Sequence, residues 1–326
     1  MKCLGCYIEV KAGYCLKCRK KLFNKEKVST KLSFDAPKSE NLNFFQDNTK
    51  KISISGVQLK YSLQLKNGQL ELCEKGGAYI LKPIPEARQL IELNAAPENE
   101  HVTMQIAEQI FGLKVAANAL IYFKDGEPAY LTKRFDVKGN ATKYLQEDFA
   151  QLTQKSTHTH GETYKYEGSY AEIGTLIRKY VAAAIPALES FFKLVVFNYL
   201  ISNGDAHLKN FSLFRTNENE YQLTPAYDLM SIVIHTPHES DVALSLYDGD
   251  LESEFYAKYG FYGSSDFLEL ANRLGILDNR AKRIIQFMLN KKTEVESLVN
   301  NSFLDETIKE KYVLNFNDKV KRMEMK

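Results

Sequence analysis

Tryptophan is absent from the 326-residue chain, no internal repeat is visible, and long apolar runs are missing. The longest apolar stretch, residues 187–201, contains Glu189, Lys193 and Asn198 and is too short to cross a bilayer. A net charge of only +2 does not indicate a polyanionic ligand. With 44% hydrophobic residues, the composition is that of an ordinary soluble protein that is large enough for two lobes.

Cysteine is scarce, but four of the five cysteines lie close together as Cys3-x₂-Cys6-x₈-Cys15-x₂-Cys18. Two C-x-x-C pairs supply the four thiolates of a tetrahedral structural zinc site. A pair of disulfides is the alternative. No apolar signal stretch precedes the cysteines and Cys73 is isolated, so the sequence favours the reducing cytoplasm and one bound Zn²⁺.

The cysteine segment, which we call the knuckle (residues 1–22), is also basic. Its basic residues are Lys11, Lys17, Arg19, Lys20 and Lys21. They are suited either to nucleic acid or an acidic partner, or to a solvated face. Aromatic residues are few among them and no recognition helix is visible, so we predict a solvated face without direct nucleic-acid contact.

A polar loop near the middle of the chain has the spacing of a phosphotransfer site. Asp205 lies five residues before Asn210, and Asp228 follows eighteen residues later. A protein kinase uses one carboxylate to accept the proton of the attacking hydroxyl, and an amide and a second carboxylate to hold Mg²⁺ against the ATP phosphates. The alternative is an ordinary polar turn between an apolar helix and a strand.

The residues around this loop favour the first interpretation. Residues 186–200 are apolar almost all round, as expected of a buried helix, and residues 211–215 and 221–223 predict a hairpin that returns the chain toward Asp228. His207 lies inside the loop. It either orients Asp205 or contacts phosphate, or it packs beneath the loop.

A lysine for the phosphates is offered by Lys82, at the end of the apolar strand 79–82. A helix is predicted downstream from an i, i+4 apolar stripe that ends at Gly112, with Glu98 and Glu100 in its first turn. One of these acids pairs with Lys82 if the site is that of a kinase. Otherwise Lys82 is a solvated edge residue and the acids are helix caps.

Eight ordered motifs between about residue 51 and residue 234 resemble those of a known family. They are S-x-S-G-V-Q-x-K, Y-I-L-K-P, N-E-x₅-I-A, K-R-F-D, Q-E-D-F, Y-x-G-S-Y, N-x-D-x-H-x-K-N and T-P-A-Y-D-L-x-S. Together they resemble the HipA serine/threonine kinases. The resemblance implies an α+β, two-lobed protein-kinase-like fold with a sheet-rich N-lobe and an all-helical C-lobe, here with a small N-terminal zinc knuckle.

The resemblance also implies a role for each site residue. Asp205 is then the catalytic base, Asn210 and Asp228 hold magnesium, and Lys82 holds phosphate. The backbone around Arg134 and Phe135 is the adenine-binding hinge. The family further implies an ATP-dependent toxin that phosphorylates an aminoacyl-tRNA synthetase and is restrained by a DNA-binding antitoxin.

Ser53, Ser55 and Gly56 stand where a kinase places its phosphate-covering loop, although one glycine does not make a G-x-G-x-x-G motif. Ser53-Ile54-Ser55 resembles the S-I-S loop of the short HipT branch, whose serines accept phosphate from the kinase's own ATP. Phosphate there would repel the nucleotide. The alternative is that both serines are simply small strand residues.

The predicted domains are the knuckle (1–22), a polar linker (23–50), a kinase N-lobe with hinge (51–141) and a helical C-lobe (142–326). The full-length family that these motifs resemble carries a larger N-terminal subdomain at this end, and its absence is compatible with a separate small partner chain, as in the HipT branch. A second hypothesis is a catalytically silent kinase fold that binds nucleotide and a partner in a repressor complex. A third is a nucleic-acid-binding module built on the knuckle.

Overall fold

Five antiparallel strands form a curled sheet in the first half of the chain. The computed structural model describes residues 1–38, 59–74, 76–85, 90–138, 142–216 and 218–325. The strands are β1 (Tyr61–Lys66), β2 (Gln69–Leu72), β3 (Tyr79–Lys82), β4 (Asn118–Tyr122) and β5 (Pro128–Lys133), in the order β2-β1-β3-β5-β4. Side chains alternate across strands, and Leu63, Leu81 and Leu131 are buried in one core.

One long helix packs against this sheet. Helix α2 (Ala96–Gln109) contacts β4 and β5, and nearly all of its side chains are buried. Pro97 lies in the first turn, where its missing N–H is not needed. At the other end Gly112 adopts a left-handed φ of 62°, and the N–H of Leu113 donates to the carbonyl of Ala107. The helix therefore ends at the glycine that the sequence indicated.

The first 38 residues are built into the sheet. Helix α1 (Leu16–Phe23) follows the cysteines, and Leu22 and Phe23 belong to the same apolar core as Leu63 and Leu81. Residues 30–34, in the predicted linker, run alongside β4: Leu32 donates to the carbonyl of Tyr122. Residues 30–34 therefore pair with the sheet through their backbone, although their polar composition indicated a linker. The division of the chain into domains stays a prediction.

The second half of the chain is mostly helical. The helices are α3 (Phe149–Leu152), α4 (Thr157–His160), α5 (Tyr170–Tyr180), α6 (Ala184–Leu200), α7 (Glu254–Tyr259), α8 (Ser264–Arg273), α9 (Asp278–Leu289), α10 (Lys292–Asn300) and α11 (Glu306–Glu324). Helix α6 is the central element, since its C-terminal half from Val195 to Leu200 is completely buried. Among the described residues, no helix is both long and apolar enough to span a membrane.

A small sheet lies within this helical half. Strands β6 (Gln146–Asp148), β7 (Ser212–Arg215) and β8 (Tyr221–Leu223) form it in that order, and both pairings are antiparallel. The β7–β8 hairpin is the one that the sequence predicted. The hairpin carries the chain from the polar loop after α6 toward Asp228, as expected.

Candidate functional site

The polar loop of residues 203–210 follows the buried end of α6 and is held from several sides. Asn203 Nδ2 donates to Asn198 Oδ1 at 3.0 Å, and the hydroxyl of Tyr170 donates to the carbonyl of Ala206 at 3.0 Å. A Cβ on Gly204 would lie 2.3 Å from the carbonyl oxygen of Ser240, so only glycine allows this close approach. The loop is therefore a rigid platform.

Asp205 projects from this platform, with its side chain 43% exposed. The hydroxyl of Tyr166 donates a 2.6 Å hydrogen bond to Asp205 Oδ1. His207 Nε2 lies 3.8 Å from the same oxygen, which is too long for a hydrogen bond. Burial lowers the pKa of His207 to about 4, so the imidazole is neutral at pH 7. His207 thus packs beneath the loop, with its ring against that of Tyr166.

A buried lysine joins the two halves of the molecule. Lys82 Nζ at the end of β3 lies 2.6 Å from Glu100 Oε1 on α2 and also contacts Asp228 Oδ1. Lys60 Nζ lies 3.3 Å from the other oxygen of Asp228. Of the two acids that the sequence offered as partners of Lys82, Glu100 makes the contact. The sheet, α2 and the segment after β8 therefore meet at one ion-pair network.

The charged groups of this network shift the pKa values of their neighbours. Burial disfavours the charged form of Lys82, but Asp228 and Glu100 outweigh burial and raise its pKa. Burial also opposes ionisation of Asp228, yet Lys60 and Lys82 hold its pKa well below the usual range. Burial raises the pKa of Glu100 to about 7, with Lys82 acting in the opposite direction. Lys82 and Asp228 are consequently ionised at neutral pH, whereas Glu100 is poised to titrate.

The backbone at Asp228 is constrained. Its φ of 55° is left-handed, a conformation that a residue with a Cβ adopts only when its surroundings enforce it. On one side, the hydroxyl of Tyr227 donates to the carbonyl of Lys209 at 2.9 Å. On the other, Asn99 Nδ2 of α2 donates to the carbonyl of Ser231 at 3.0 Å, and the N–H of Ser231 donates back to Asn99 Oδ1. Helix α2 thus fixes both Lys82 and the Asp228 turn.

Asn210 and Asp228 have the chemistry of a magnesium site. Asn210 Oδ1 is buried and has no hydrogen-bond partner among the described residues. A buried amide oxygen without a partner is rare in folded proteins, and a cation would satisfy it. Carboxylate and amide oxygens are suitable ligands for this hard cation. The residues therefore fit Mg²⁺, although Asp228 now faces two lysines.

The two residues of the predicted adenine hinge, Arg134 and Phe135, make contacts of their own. The N–H of Arg134 donates to the carbonyl of Ala78 at 2.8 Å, and its guanidinium pairs with Asp136. The ring of Phe135 lies 5.8 Å from that of Tyr227. The adenine hinge proposed for this backbone stays a prediction. Among the described residues, Asp205 makes no direct hydrogen bond to Asn210 or Asp228.

Ser53, Ser55 and Gly56 lie outside the described residues. Their predicted contact with phosphate and the predicted phosphorylation of the two serines therefore stay predictions.

The four cysteines of the knuckle converge. Cys3, Cys6, Cys15 and Cys18 place their sulfurs within 4.8 Å of one another, and all four are free thiols. Zinc–sulfur bonds of about 2.3 Å in a tetrahedron put sulfurs about 3.8 Å apart, and the sulfurs of Cys6 and Cys15 are separated by 3.7 Å. The cluster therefore fits a four-thiolate metal site.

Backbone groups support this sulfur cluster. The N–H groups of Gly5 and Cys15 donate to the sulfur of Cys3 at 3.4 and 3.2 Å. A Cβ on Gly5 would lie 2.8 Å from the sulfur of Cys18, so the backbone closes tightly around the site. Such N–H donors orient metal-bound thiolates in known sites.

Two residues at the site were missed by sequence reasoning. Lys60 is the last residue of the S-x-S-G-V-Q-x-K motif, in which the sequence analysis assigned roles only to Ser53, Ser55 and Gly56. Tyr166 belongs to the Y-x-G-S-Y motif, to which the sequence analysis assigned no site residue. Both residues therefore lie in motifs that the sequence shows, but the contacts of Lys60 with Asp228 and of Tyr166 with Asp205 depend on the fold.

Several proteins with kinase names are similar in sequence to this chain. A protein of Haemophilus influenzae named "Putative kinase" is 28% identical over 267 residues, which are 78% of this chain and 76% of that protein. Putative kinase Y4dM of Sinorhizobium fredii is 32% identical over 215 residues, 61% of this chain and 49% of its own length. The serine/threonine-protein kinase toxin HipA of Shewanella oneidensis is 26% identical over 260 residues, 74% of this chain and 57% of its own length.

Two solved structures share the fold. The first belongs to the Shewanella oneidensis toxin–antitoxin complex of HipA, HipB and operator DNA, with a TM-score of 0.64, 19% identity, and coverage of 89% of this chain and 71% of that chain. The second is the Helicobacter pylori proinflammatory kinase CtkA, with a TM-score of 0.52, 17% identity, and coverage of 84% and 95%. The predicted kinase-like fold is thus confirmed. Residues 52–295 match the family of the HipA-like C-terminal domain, and the chain belongs to that family.

Proposed function

We propose that the protein is an ATP-dependent serine/threonine protein kinase of the HipA type. The observation that carries the proposal is the buried ion-pair network, in which Lys82 binds both Glu100 of the sheet half and Asp228 of the helical half. A structural salt bridge does not require a second lysine on Asp228 or an exposed carboxylate at Asp205 nearby in the chain. Kinase chemistry requires a lysine paired with a glutamate, a metal-binding carboxylate and an accessible catalytic carboxylate, and Lys82, Glu100, Asp228 and Asp205 would supply them.

In this proposal each residue has one task. Asp205 accepts the proton of the substrate hydroxyl, because its carboxylate is exposed on a rigid loop. Asn210 and Asp228 would hold Mg²⁺, which supplies charge neutralisation for the phosphates. Lys82 and Lys60 pair with Asp228 in this structure, and both ammonium groups would bind nucleotide phosphates when Asp228 holds the metal.

The competing hypothesis is a silent kinase fold, and one experiment separates the two. Intact mass is measured with and without ATP and Mg²⁺, alongside transfer to a generic serine/threonine substrate. We expect phosphotransfer by the wild type and a loss of roughly two to four powers of ten in Asp205→Asn, with ATP binding retained. Asp278→Asn, at an exposed helical position, is the matched control. Equal activity in Asp205→Asn and the wild type would sink the assignment.

We further propose that the kinase is a cytoplasmic toxin acting on a translation component such as an aminoacyl-tRNA synthetase, and that an antitoxin restrains it. The supporting observation is the Shewanella relative, which is named a toxin and whose HipA was solved with HipB and operator DNA. Expression should stop growth in the wild type and not in Asp205→Asn. Comparison of phosphopeptides from the two cultures identifies the substrate, and equal growth arrest would contradict a toxic kinase activity.

Self-phosphorylation on Ser53 and Ser55 is part of the same proposal, and it rests on the S-I-S resemblance. The double Ser→Ala variant should bind ATP and lose the self-phosphorylation seen by intact mass. Persistent labelling to the wild-type extent would place the acceptor elsewhere. The knuckle is proposed to hold one Zn²⁺ per chain, and elemental analysis of protein purified without chelator tests this directly.

A further inference from the structure

Two adjacent residues of α2 face two different partners. Glu100 holds Lys82 in the proposed nucleotide site, and His101 holds Tyr7 of the knuckle. The hydroxyl of Tyr7 and Nδ1 of His101 are hydrogen-bonded at 2.8 Å, and their rings pack edge to face. Both side chains are buried. The knuckle and the site lysine are therefore connected through neighbouring residues of one helix.

The knuckle also contacts the C-terminal end of the same helix. Gln109 Nε2 donates to the carbonyl of Cys6 at 3.4 Å, and Lys21 pairs with Glu108. These contacts lie two turns beyond His101. Together with the Tyr7–His101 contact, they join the knuckle to α2 at two places along the helix.

Tyr7 is held in place by the cysteine loop itself. Its φ of 66° is left-handed, which is unusual for a large side chain and shows that the loop constrains it. The N–H of Tyr7 donates to the carbonyl of Cys3 at 3.0 Å, and Asn301 Nδ2 donates to the carbonyl of Tyr7 at 3.4 Å. The position of the Tyr7 ring thus depends on the loop between Cys3 and Cys6.

We propose that Tyr7 and His101 are positioning residues through which the knuckle sets the place of α2, and thereby of Glu100 and Lys82. This inference rests on the proposed function, because it takes Lys82 as a nucleotide-binding residue. It gives the knuckle a role in phosphotransfer besides stabilising the sheet. When the cysteine loop is disordered, Glu100 no longer holds Lys82 in its binding position.

A matched pair of variants tests the inference. Tyr7 and Tyr14 are both buried tyrosines of the knuckle, and the hydroxyl of each makes one hydrogen bond, but that of Tyr14 donates to the carbonyl of Leu120 on β4 at 2.8 Å. Tyr7→Phe and Tyr14→Phe should lower the melting temperature to a similar extent. Only Tyr7→Phe should weaken ATP binding, by about fivefold or more if one buried hydrogen bond couples the two sites.

A double variant tests whether the effect of Tyr7 on ATP binding passes through Glu100. If Tyr7 acts through Glu100, Tyr7→Phe should change ATP affinity much less in a Glu100→Gln background than in the wild type. Additive losses would overturn the route through Glu100. Equal ATP affinities of Tyr7→Phe and Tyr14→Phe would overturn the inference as a whole. A wild type that does not bind ATP would instead contradict the proposed function.

Amide hydrogen exchange of the wild type gives a second readout that needs no variant. Removal of metal by a chelator should speed exchange in α2 while leaving α9, a helix of the second half of the chain, protected. Unchanged protection of α2 after release of the metal would contradict the coupling.

Discussion

At the scale of single residues, the hydroxyl of Tyr166 fixes the orientation of the proposed base. It binds Asp205 Oδ1 at 2.6 Å, which leaves the other carboxylate oxygen for a substrate hydroxyl. Tyr166→Phe keeps the ring and removes this donor. We expect kcat to fall about tenfold or more, since a hydrogen bond to a charged group is lost, while KM for ATP stays unchanged.

Steady-state kinetics with a generic protein substrate checks this expectation. Tyr180→Phe is the control, because Tyr180 is a partly exposed tyrosine at the end of α5. An unchanged kcat in Tyr166→Phe, or an equal loss in Tyr180→Phe, would argue against orientation of the base.

Glu100 predicts an unusual dependence on pH. Burial raises its pKa to about 7, so the carboxylate becomes protonated as pH falls through that value. The neutral acid no longer holds Lys82 by charge, and ATP affinity should decline below pH 7. Stability changes in the opposite direction. Because the folded-state pKa lies above the unfolded one, the contribution of Glu100 to stability is fully present at low pH and is lost as pH rises through about 7.

Comparison with Glu100→Gln isolates both effects, since the amide cannot titrate there and the nucleotide's own ionisation is common to both proteins. ATP titrations and melting curves between pH 6 and pH 8 should differ in slope between the two proteins. Parallel pH profiles would show that Glu100 does not titrate in this range.

Sequence spacing identified Lys82, Asp205 and Asp228 because each lies in a motif whose internal distances reflect the chemistry. It did not select Glu100 over Glu98. Residues two apart on a helix point about 160° away from each other, so the choice depends on how the helix is rotated against the sheet. The contact of Lys60 with Asp228 spans 168 positions of sequence, and no local pattern encodes such a distance.

At the scale of elements, α2 connects the two halves of the molecule, because it packs on the sheet and hydrogen-bonds to the segment after Asp228. Asn99 makes the key contacts, with two hydrogen bonds to the backbone of Ser231 and one to His235. Asn99→Ala leaves these buried groups without partners. We expect a loss of roughly 2–4 kcal/mol in the free energy of unfolding and weaker ATP binding, because the Asp228 turn loses its anchor.

Denaturant unfolding and ATP titration measure the two effects. Asn272→Ala on the exposed face of α8 serves as the reference, and its stability should change by about 0.5 kcal/mol or less. A fully stable Asn99→Ala protein would show that α2 is held by apolar packing alone.

Periodicity predicted α6 and the β7–β8 hairpin well, because both have strong apolar patterns. It missed β6, which has only three residues, all half-buried, and so carries no alternation. It also interpreted residues 23–38 as linker. Their side chains are mainly polar, and the backbone hydrogen bonds that attach them to β4 leave no trace in composition.

At the scale of the whole molecule, the knuckle and the sheet share one core. Cys3, Leu4 and Cys18 are buried together with Leu63 and Leu120. Loss of the metal should therefore destabilise the entire sheet-containing half and not only the first residues. Chelation of the zinc-loaded protein should lower its melting temperature by roughly 10 °C or more.

Cys3→Ser should have a similar effect and should also abolish stoichiometric zinc binding. Cys73→Ser is the matched control, because Cys73 is buried but lies outside the four-cysteine cluster. It should retain one zinc per chain. An unaltered melting temperature after complete removal of zinc would show that the thiols pack the core without metal.

The first 34 residues have one more consequence, which concerns association between molecules. Strand β4 is an outer strand of the sheet, and the N–H groups of Leu120 and Tyr122 in β4, and of Lys124 just after it, donate to the carbonyls of Leu4, Thr30 and Phe34. An uncovered strand of this kind is a template for edge-to-edge pairing and aggregation. The knuckle and residues 30–34 therefore cover this strand edge and prevent it from pairing with strands of other chains.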